Sequence, residues 1–344
     1  MWRKIKKPIL ALAPMAGITD SAFRLISKEQ GADVVYSEMA SSSALYFKPK
    51  RTLELLRFCS KEQPYVVQLF GKNPEHFARA ARIITQGVPQ IKYDKTDKTA
   101  QKRLAPGGID INFGCPAKKV FGHGSGAALM DKPKLAKRII QAVTSNTSLE
   151  VSIKVRTQVK GVKLLDFLRE IKINKLKITA IMVHGRTYSQ GFSGPVDFET
   201  IKKVKQYFGG IVLANGGIKN LEDARIILKK TGADGVGVGT GADGNPMIFK
   251  DLKILKNKNN PAGGKARDET RELEEKIKII TRQADYVYKL KGRRGILELR
   301  KHLIWYFKGL EGIRKLHADM VGVKNPEDVK KIVHKVRKSQ VGKF

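Results

Sequence analysis

Eight short runs of apolar and β-branched residues constrain the fold of this chain more than any other feature. They lie at residues 9–13, 33–36, 65–70, 109–113, 151–155, 178–183, 211–214 and 235–238. Amphipathic patterns typical of helices lie between them, at residues 74–85, 134–143, 164–171 and 221–229. Asn220 is a suitable N-cap for the last of these. Strands that alternate with helices predict an α/β protein with a parallel sheet.

The number of strand–helix units favours a closed sheet over an open one. Eight such units within about 250 residues are typical of a (β/α)8 TIM barrel. A doubly wound open sheet is the alternative, but it usually carries a G-x-G-x-x-G turn after an early strand, and no early strand here has one. We therefore expect a TIM-barrel catalytic domain over residues 1–250.

The chain changes character after the eighth predicted strand. Residues 251–268 are rich in Lys, Asn, Gly and Pro, which predicts a linker. Residues 269–344 carry helical patterns, so we expect a small all-α domain there. Its apolar faces are predicted at Leu297, Leu303, Ile304, Tyr306 and Phe307. Within the barrel, residues 88–107 form a long, polar and basic insertion, which we interpret as a flexible loop.

The charge of the chain is strongly unbalanced. It has 67 Lys and Arg against 32 Asp and Glu, a formal net charge of +35. This excess indicates a polyanionic partner, with nucleic acid as the first candidate and an anionic membrane surface as the second. A lysine-rich proteome, or adaptation to salt or heat, is the alternative explanation.

The cysteine content and the hydropathy pattern suggest a compartment. The two cysteines, Cys59 and Cys115, suit a reducing environment and do not form a metal-ligand pattern. No segment approaches the roughly 20 apolar residues of a membrane span. We therefore expect a cytoplasmic protein without a metal site. Cys59, in LLRFCSKEQP, is expected to be a structural residue.

Polar residues of interest follow the predicted strands, and in such barrels the active site lies at the carboxyl ends of the strands. Lys154 and His184 would project from the fifth and sixth strands toward one centre, where a lysine could hold the anionic edge of a reduced flavin ring. A buried counter-charge and a buried imidazole with its hydrogen bonds satisfied are the structural alternatives. Glycine-rich turns at residues 214–217 and 237–241 follow the last two strands, where barrels commonly bind phosphate.

Cys115 follows the fourth predicted strand, in the stretch DINFGCPAKKVFGHGSGAAL. A free cysteine is most often a small buried apolar residue. Its place at the predicted catalytic end of the barrel makes Cys115 a candidate for chemistry instead.

Seven motifs occur in order along the chain: APMAGITDSAFR, SEM, INFGCPAKKVFGHGSGAALM, KVRT, HGRTYSQGFSG, NGGI and GADGNPMIF. Together they resemble the tRNA-dihydrouridine synthases, most closely the bacterial B-type branch. The resemblance implies an FMN-binding barrel, a helical domain that helps to hold tRNA, and NADPH or NADH as reductant. It also implies transfer of a hydride from N5 of reduced FMN to C6 of a uridine in tRNA, and of a proton from Cys115 to C5, which produces 5,6-dihydrouridine.

The same resemblance assigns the binding residues. For the cofactor it implies Pro14, Met15, Ala16, Gln68, Lys154, His184, Asn215, Gly216, Gly217, Gly239 and Thr240. For the substrate it implies Asn112, Arg186, Arg300 and Lys301. The target base would have to be extruded from the folded tRNA to reach the mouth of the barrel. We expect a monomer with no stable protein partner.

Two positions depart from the family pattern. Thr240 stands where an arginine is usual in the phosphate loop, and Gly217 stands where an aspartate is frequent. The missing arginine predicts either a lower affinity for FMN or compensation by another basic residue.

Two rival functions remain open at the level of the sequence. One is an FMN barrel reductase that acts on a small molecule such as orotate, and the basic helical C-terminal region argues against it. The other is an RNA-binding protein built on a degenerate barrel. The presence of Lys154, His184 and Cys115 argues against that reading.

Overall fold

The computed structural model describes residues 1–93, 102–257 and 268–340. Eight parallel strands form a closed barrel, and their order is β1 (Ile9–Leu12), β2 (Val34–Tyr36), β3 (Tyr65–Phe70), β4 (Gly108–Phe113), β5 (Glu150–Arg156), β6 (Ala180–His184), β7 (Ile211–Asn215) and β8 (Gly235–Val238). β1 pairs with both β8 and β2, and β2 pairs with β3, so the hydrogen-bonded ladder closes on itself. The predicted TIM barrel is confirmed, and its strand ends lie within two residues of the predicted ones.

Helices flank the strands along the barrel region of the chain, and further helices follow in the C-terminal region. The helices of the barrel region are α1 (Ser21–Gln30), α2 (Ser42–Phe47), α3 (Pro49–Leu55), α4 (Pro74–Thr85), α5 (Lys118–Gly122), α6 (Pro133–Thr144), α7 (Leu164–Glu170), α8 (Phe198–Tyr207), α9 (Leu221–Thr231) and α10 (Ile248–Leu252). The C-terminal region contains α11 (Glu269–Lys291), α12 (Arg293–Tyr306), α13 (His317–Gly322) and α14 (Pro326–Gln340). Short 3-10 helices lie at Trp2–Lys4, Ser60–Glu62, Gly126–Asp131, Ile173–Lys175, Thr240–Ala242, Lys253–Lys256 and Ile313–Leu316. Across the described ranges, no helix has both the length and the apolar character that a membrane crossing requires.

Local capping agrees with the sequence patterns. The Oδ1 of Asn220 accepts a hydrogen bond from the backbone N–H of Asp223 at 2.8 Å, so Asn220 caps α9 as predicted.

Cys59 is fully buried, and its backbone N–H donates to the carboxylate of Glu62 at 2.6 Å. Its structural role is therefore confirmed.

The amino-terminal end of the barrel is filled by Trp2, which lies in a short helix before β1. The indole is 1% exposed, and its ring centroid lies 6.3 Å from that of Tyr36 inside the barrel. Apolar side chains of the strands, including Ala11, Val66 and Met182, pack in the same cluster. The interior at this end is a filled core, and the polar interior side chains gather at the carboxyl end.

The C-terminal helices pack directly on the barrel. α11 lies against α1, where Lys291 pairs with Asp20 at 2.8 Å and Arg282 pairs with Glu29 at 2.9 Å. Apolar side chains of the barrel, such as Ile26, join the hydrophobic cluster of the C-terminal helices. These contacts place the helical region beside the segment that follows β1.

Most of the apolar side chains predicted for the helical region are buried. Leu303, Tyr306 and Phe307 are buried, and Ile304 is partly buried. Leu297 is 41% exposed, so its predicted place on an apolar face is wrong. Leu297 directly follows the buried Ile296 and lies two residues before the buried Leu299, so its side chain is rotated by about 100° or more from theirs around the helix and points toward solvent.

The interpretation of residues 88–107 as a flexible loop is wrong for the flanks of that segment. Val88–Pro89 pairs antiparallel with Arg103–Leu104. Tyr93 is 2% exposed, and its ring lies 4.7 Å from that of Tyr286 on α11. The segment is ordered there because its apolar side chains are buried between the barrel and α11. Residues 94–101 lie outside the described residues.

The predicted linker, residues 251–268, also begins with regular structure. Its first residues belong to α10 and to the 3-10 helix Lys253–Lys256. Lys256 donates to the carboxylate of Asp33 at 2.7 Å, which fastens this helix to the barrel. Residues 258–267 lie outside the described residues.

We expect Trp2→Ala to lower the free energy of unfolding by about 3–5 kcal/mol, because it leaves a large cavity at the end of the barrel. Unfolding in urea, followed by circular dichroism, measures the change. Leu55→Ala is the matched control, since Leu55 is 67% exposed, and its effect should stay within about 0.5 kcal/mol. A Trp2→Ala variant as stable as the control would contradict the conclusion that Trp2 stabilises the barrel by filling its amino-terminal end.

Candidate active site

Cys115 lies at the carboxyl end of the barrel, just beyond β4, and is partly exposed. Its backbone N–H donates to Oδ1 of Asn112 at 2.8 Å, and the N–H of Gly114 donates to the same oxygen at 3.0 Å. Asn112 therefore holds the backbone that presents the thiol to the mouth of the barrel.

The loop that follows Cys115 returns close to it at Gly126. This glycine has a φ of +61°, and a Cβ there would lie 3.2 Å from the Cβ of Cys115 and 3.0 Å from Val120. A side chain would be strained both by the backbone conformation and by these contacts. The close return explains one of the glycines that cluster after the cysteine in the sequence.

A row of buried hydrogen bonds orients Asn112. Its Nδ2 donates to Oε1 of Gln68 at 2.9 Å, and Nε2 of Gln68 donates to Asp110 at 2.8 Å. The hydroxyl of Ser152 donates to the other oxygen of Asp110 at 2.6 Å. Because a carboxylate only accepts hydrogen bonds, Asp110 draws the amide nitrogen of Gln68 toward itself and leaves its oxygen facing Asn112. The oxygen of Asn112 then faces the backbone of Cys115.

Asp110 was not among the residues predicted from the sequence. It lies two residues before Asn112 on β4, so both side chains point to the same face of the strand. This alternation was the signal that could have identified it. Burial raises the pKa of Asp110 to about 6, and hydrogen bonds from Ser152 and Gln68 with the charge of Lys154 only partly oppose the rise.

Lys154 links three strands at the same end of the barrel. Its Nζ donates to Oδ1 of Asn215 at 3.0 Å, and Nδ2 of Asn215 donates to the carbonyl of Gly237 at 2.6 Å. Burial and the neighbouring charge of Arg156 lower the pKa of Lys154 to about 8. Lys154 therefore carries a positive charge at neutral pH, in surroundings that make this charge costly unless an anion lies nearby.

His184, at the end of β6, is 6% exposed and surrounded by cations. Burial lowers its pKa to about 2, together with the positive charges of Lys154, Arg156 and Arg186. Its imidazole is therefore neutral at physiological pH and can donate or accept a hydrogen bond without a charge.

Arg156 is the second site residue absent from the sequence prediction. It is 1% exposed, and its Nε donates to the carbonyl of Gly114 at 2.8 Å. Its Nη1 donates to the carbonyls of Thr187 and Gly191, both at 2.8 Å. Arg156 thus connects the Cys115 loop to the loop after β6. Ser152, Lys154 and Arg156 alternate along β5 and face the same interior, a pattern that could have identified this arginine.

The turn after β7 forms an open backbone cradle. Gly216 has a φ of +113°, and a Cβ there would lie 2.8 Å from the ring of His184 and 3.3 Å from Nη1 of Arg186. Among the described residues, the backbone N–H groups of Gly216 and Gly217 have no acceptor. Free N–H groups beside a guanidinium suit an anion.

Met15 and Gly239, two more of the residues predicted to bind a cofactor, lie close to each other and to Asn215, which precedes this cradle. A Cβ on Gly239 would lie 3.7 Å from Sδ of Met15 and 4.0 Å from Nδ2 of Asn215, so the loops after β1, β7 and β8 meet. Thr240 follows and is exposed at the start of a 3-10 helix. Pro14 is partly exposed and Ala16 is exposed.

Arg300 and Lys301 lie on α12 and already have protein partners. Arg300 donates from Nε and Nη2 to the carbonyl of Val323, at 3.1 and 2.8 Å. Lys301 donates from Nζ to the carbonyl of Gly17 at 2.5 Å. Lys301 thus fastens the helical region to the loop that carries Met15. A contact of these two cations with a substrate stays a prediction, and it would have to coexist with these structural bonds.

Asp110 makes the stability of the protein depend on pH. Its native pKa, about 6, exceeds the unperturbed value of 3.8, so between these values only the native state holds the proton. The free energy of unfolding therefore falls as the pH rises through this window. We expect Asp110→Asn to lack this contribution and to gain up to about 3 kcal/mol relative to the wild type between pH 4 and pH 6.5.

Urea unfolding at the two pH values measures this difference between the variant and the wild type. Asp166→Asn is the control, since that carboxylate is 64% exposed. Parallel pH dependences for the wild type and Asp110→Asn would show that the carboxyl group does not titrate in this range.

The chain resembles known proteins over most of its length. A family model described as dihydrouridine synthase matches residues 11–341. The chain is 33% identical to tRNA-dihydrouridine synthase B of Shewanella oneidensis over 316 residues, which cover 90% of this chain and 89% of the relative. It is 32% identical to a probable tRNA-dihydrouridine synthase of Rickettsia prowazekii over 324 residues, or 93% of this chain and 91% of the relative.

A solved structure has a similar fold at low sequence identity. The histamine dehydrogenase from Rhizobium sp. 4-9 superimposes with a TM-score of 0.51 at 11% identity. The match covers 73% of this chain and 46% of that one, so this chain corresponds to about half of the dehydrogenase. At this identity the likeness concerns the barrel fold alone.

Proposed function

Because the chain belongs to the dihydrouridine synthase family of tRNA-modifying oxidoreductases, we propose that it reduces specific uridines of tRNA to 5,6-dihydrouridine. The proposed cofactor is FMN, with NADPH or NADH as its reductant. One observation carries the proposal: the partly exposed thiol of Cys115 shares one end of the barrel with Lys154, Arg156 and a neutral His184.

The residues at this end fit a cofactor with a phosphate and a flat ring. The free N–H groups of Gly216 and Gly217 and the guanidinium of Arg186 suit the phosphate. Arg186 is also a basic residue that could compensate for the arginine replaced by Thr240. Lys154 suits the electronegative edge of the ring, since its Nζ donates to the neutral amide oxygen of Asn215 and not to a carboxylate. FMN, when bound there, would supply the hydride for the reaction.

Cys115 is the proposed proton donor. Reduction of the C5–C6 double bond of uracil adds a hydride at C6 and a proton at C5. The Sγ of Cys115 gives the proton, and the thiolate that remains is stabilised by the positive charges of Lys154 and Arg156, with which it interacts. Because Cys115 is partly exposed, water can return the proton after each turnover.

Asn112 is the proposed contact for the uracil. Its oxygen is occupied by two backbone N–H groups, and one hydrogen of Nδ2 is donated to Gln68. The second hydrogen points toward Sδ of Met39, 3.7 Å away, which is a weak acceptor. This N–H can therefore move to a better acceptor, and a uracil carbonyl supplies one. The row from Asp110 through Gln68 keeps the donor side of Asn112 oriented for that bond.

The surroundings of the barrel mouth suit tRNA. The net charge of +35 favours association with phosphates. The helical region reaches the mouth through the bond from Lys301 to Gly17, so a polyanion on that region would lie close to the candidate active site. A uridine extruded from its stack could then enter the open carboxyl end of the barrel.

Gly216→Ala tests the cofactor cradle. The added methyl group would meet the ring of His184 at 2.8 Å in a backbone conformation that disfavours side chains. We expect the variant to fold and to bind FMN at least about tenfold more weakly, measured by quenching of FMN fluorescence on titration with the apoprotein. Gly209→Ala is the matched control, because a Cβ there meets nothing within 4 Å. Equal FMN affinities of the two variants would place the cofactor elsewhere.

Cys115→Ala tests the proton donor. We expect the variant to retain FMN and to oxidise NADPH, because the thiol is not part of the cradle. It should form dihydrouridine in unmodified tRNA at least about 100-fold more slowly than the wild type, as loss of a general acid predicts. Mass spectrometry of digested tRNA measures the product, and Cys59→Ala is the control for loss of a thiol. Full turnover by Cys115→Ala would remove Cys115 from the mechanism.

A further inference from the structure

Phe47, the last residue of α2, is a large apolar side chain that the rest of the fold leaves in solvent. It is 68% exposed. Its ring packs edge-on against His76 at 5.2 Å, and His76 lies 4.3 Å from the ring of Tyr46. The guanidinium of Arg79 lies over the ring of Tyr46, 4.9 Å from the centroid of that ring. We name Tyr46, Phe47, His76 and Arg79 the rim patch.

The rim patch is held in a defined geometry. Ser43 and His76 share a hydrogen bond of 2.9 Å, and the hydroxyl of Tyr46 donates to Glu75 at 2.9 Å. These bonds join α2 to α4 around the rings. Phe47 is therefore supported on one edge by other rings, while most of its surface stays open. A single exposed apolar side chain is common on protein surfaces, but the ring of Phe47 is also held in a fixed orientation by an aromatic cluster, which makes it a preformed surface for stacking.

The rim patch lies at the same end of the barrel as Cys115. α2 follows directly on the short strand Ala40–Ser41, which pairs with the carboxyl end of β3. His76 lies in the first turn of α4, which begins just after β3. Lys72 reaches the loop after Cys115, since its Cδ lies 3.8 Å from where a Cβ of Gly124 would be. β3 is also the neighbour of β4, so the patch borders the Cys115 loop.

The charge around the rim patch identifies the chemistry of its partner. Residues 42–51 and 72–79, which contain the rim patch, have five Lys and Arg and one glutamate. That glutamate, Glu75, accepts a hydrogen bond from the hydroxyl of Tyr46. An exposed ring within a positive surface matches an unstacked nucleobase flanked by phosphates. Phe47 is the one exposed large apolar side chain of the rim patch, and a single ring is small for a protein interface.

We propose that the rim patch binds a second nucleotide of the tRNA, one that is not reduced. Its base stacks on Phe47, and its backbone phosphates lie against the exposed Lys48, Lys50 and Arg51. The inference rests on the proposed function, because it assumes that tRNA lies over the mouth of the barrel. The stacked base would help to determine which uridine reaches Cys115, since it holds the tRNA at a fixed offset from the mouth.

Phe47→Ala is the decisive variant, and Leu55→Ala is its matched control. Leu55 is 67% exposed on the neighbouring helix α3, yet it belongs to no aromatic cluster. We expect Phe47→Ala to raise the Kd for unmodified tRNA about tenfold, the effect of losing one stacking partner. KM should rise with kcat unchanged, the salt dependence of Kd should keep its slope, and the FMN spectrum should not change. Leu55→Ala should match the wild type in every measurement.

Phe47→Trp gives a direct spectroscopic signal of stacking. This variant should bind tRNA at least as tightly as the wild type, and its added fluorescence should be quenched when tRNA binds. An unchanged Kd in Phe47→Ala, or emission from Phe47→Trp that does not respond to tRNA, would overturn the proposal.

Sedimentation of the wild type and Phe47→Ala separates a nucleotide from a protein partner. A smaller sedimenting species in the variant would assign the patch to contact between copies of this chain and would overturn the proposal.

Turnover of tRNA by the wild type separates this inference from the proposed function. If the wild type makes dihydrouridine and Phe47→Ala binds normally, only the inference fails. If the wild type makes none, the proposed function fails.

Discussion

Closure of the parallel ladder, where β1 pairs with β8 on one side and β2 on the other, is the constraint on which the rest of the structure depends. Because all eight strands are parallel, closure brings their carboxyl ends into one ring. Trp2 fills the opposite end of the barrel. Residues as distant in sequence as Asn112 on β4 and Asn215 on β7 thereby lie at the same end of the barrel. Asn112 is in register with Lys154 on β5, and Lys154 donates to Asn215.

The candidate site concentrates cations and contains a single fully buried carboxylate, Asp110, among the residues described at the barrel interior. Burial alone would favour neutral side chains, and it lowers the pKa of both Lys154 and His184. Lys154 and Arg156 nevertheless remain charged at neutral pH. Such an arrangement costs free energy in the isolated protein and is offset when an anion binds. This is the physical reason that the site suits the proposed cofactor, with its phosphate and electron-rich ring, and the thiolate that the proposed proton transfer from Cys115 would leave.

The C-terminal helices help to position the loop after β1 at the mouth of the barrel. Lys291 holds Asp20 just after the first loop, and Lys301 holds the carbonyl of Gly17 within it. The loop that carries Met15 is thus fastened from outside the barrel, and the helical region is fixed beside the mouth. Two cations predicted from the sequence to contact RNA, Arg300 and Lys301, make protein hydrogen bonds instead of lying free on the surface. Positive charge alone does not distinguish these two roles.

The sequence by itself determined the eight strands, the barrel, and the position of Cys115, Lys154 and His184 at one end, because strands and helices leave local apolar patterns along the chain. Only the tertiary structure decided which polar residues act together. Alternation along β4 and β5 could have placed Asp110 and Arg156 on the interior face of the barrel, but it could not show their partners, Gln68 and Gly114, which lie on other strands or loops. The ordered flanks of residues 88–107 were missed for the same reason, since Tyr93 is buried by Tyr286 of α11. Hydrogen bonds and burial between distant segments leave no pattern along the chain, so they exist only once the barrel has closed and the helices have packed on it.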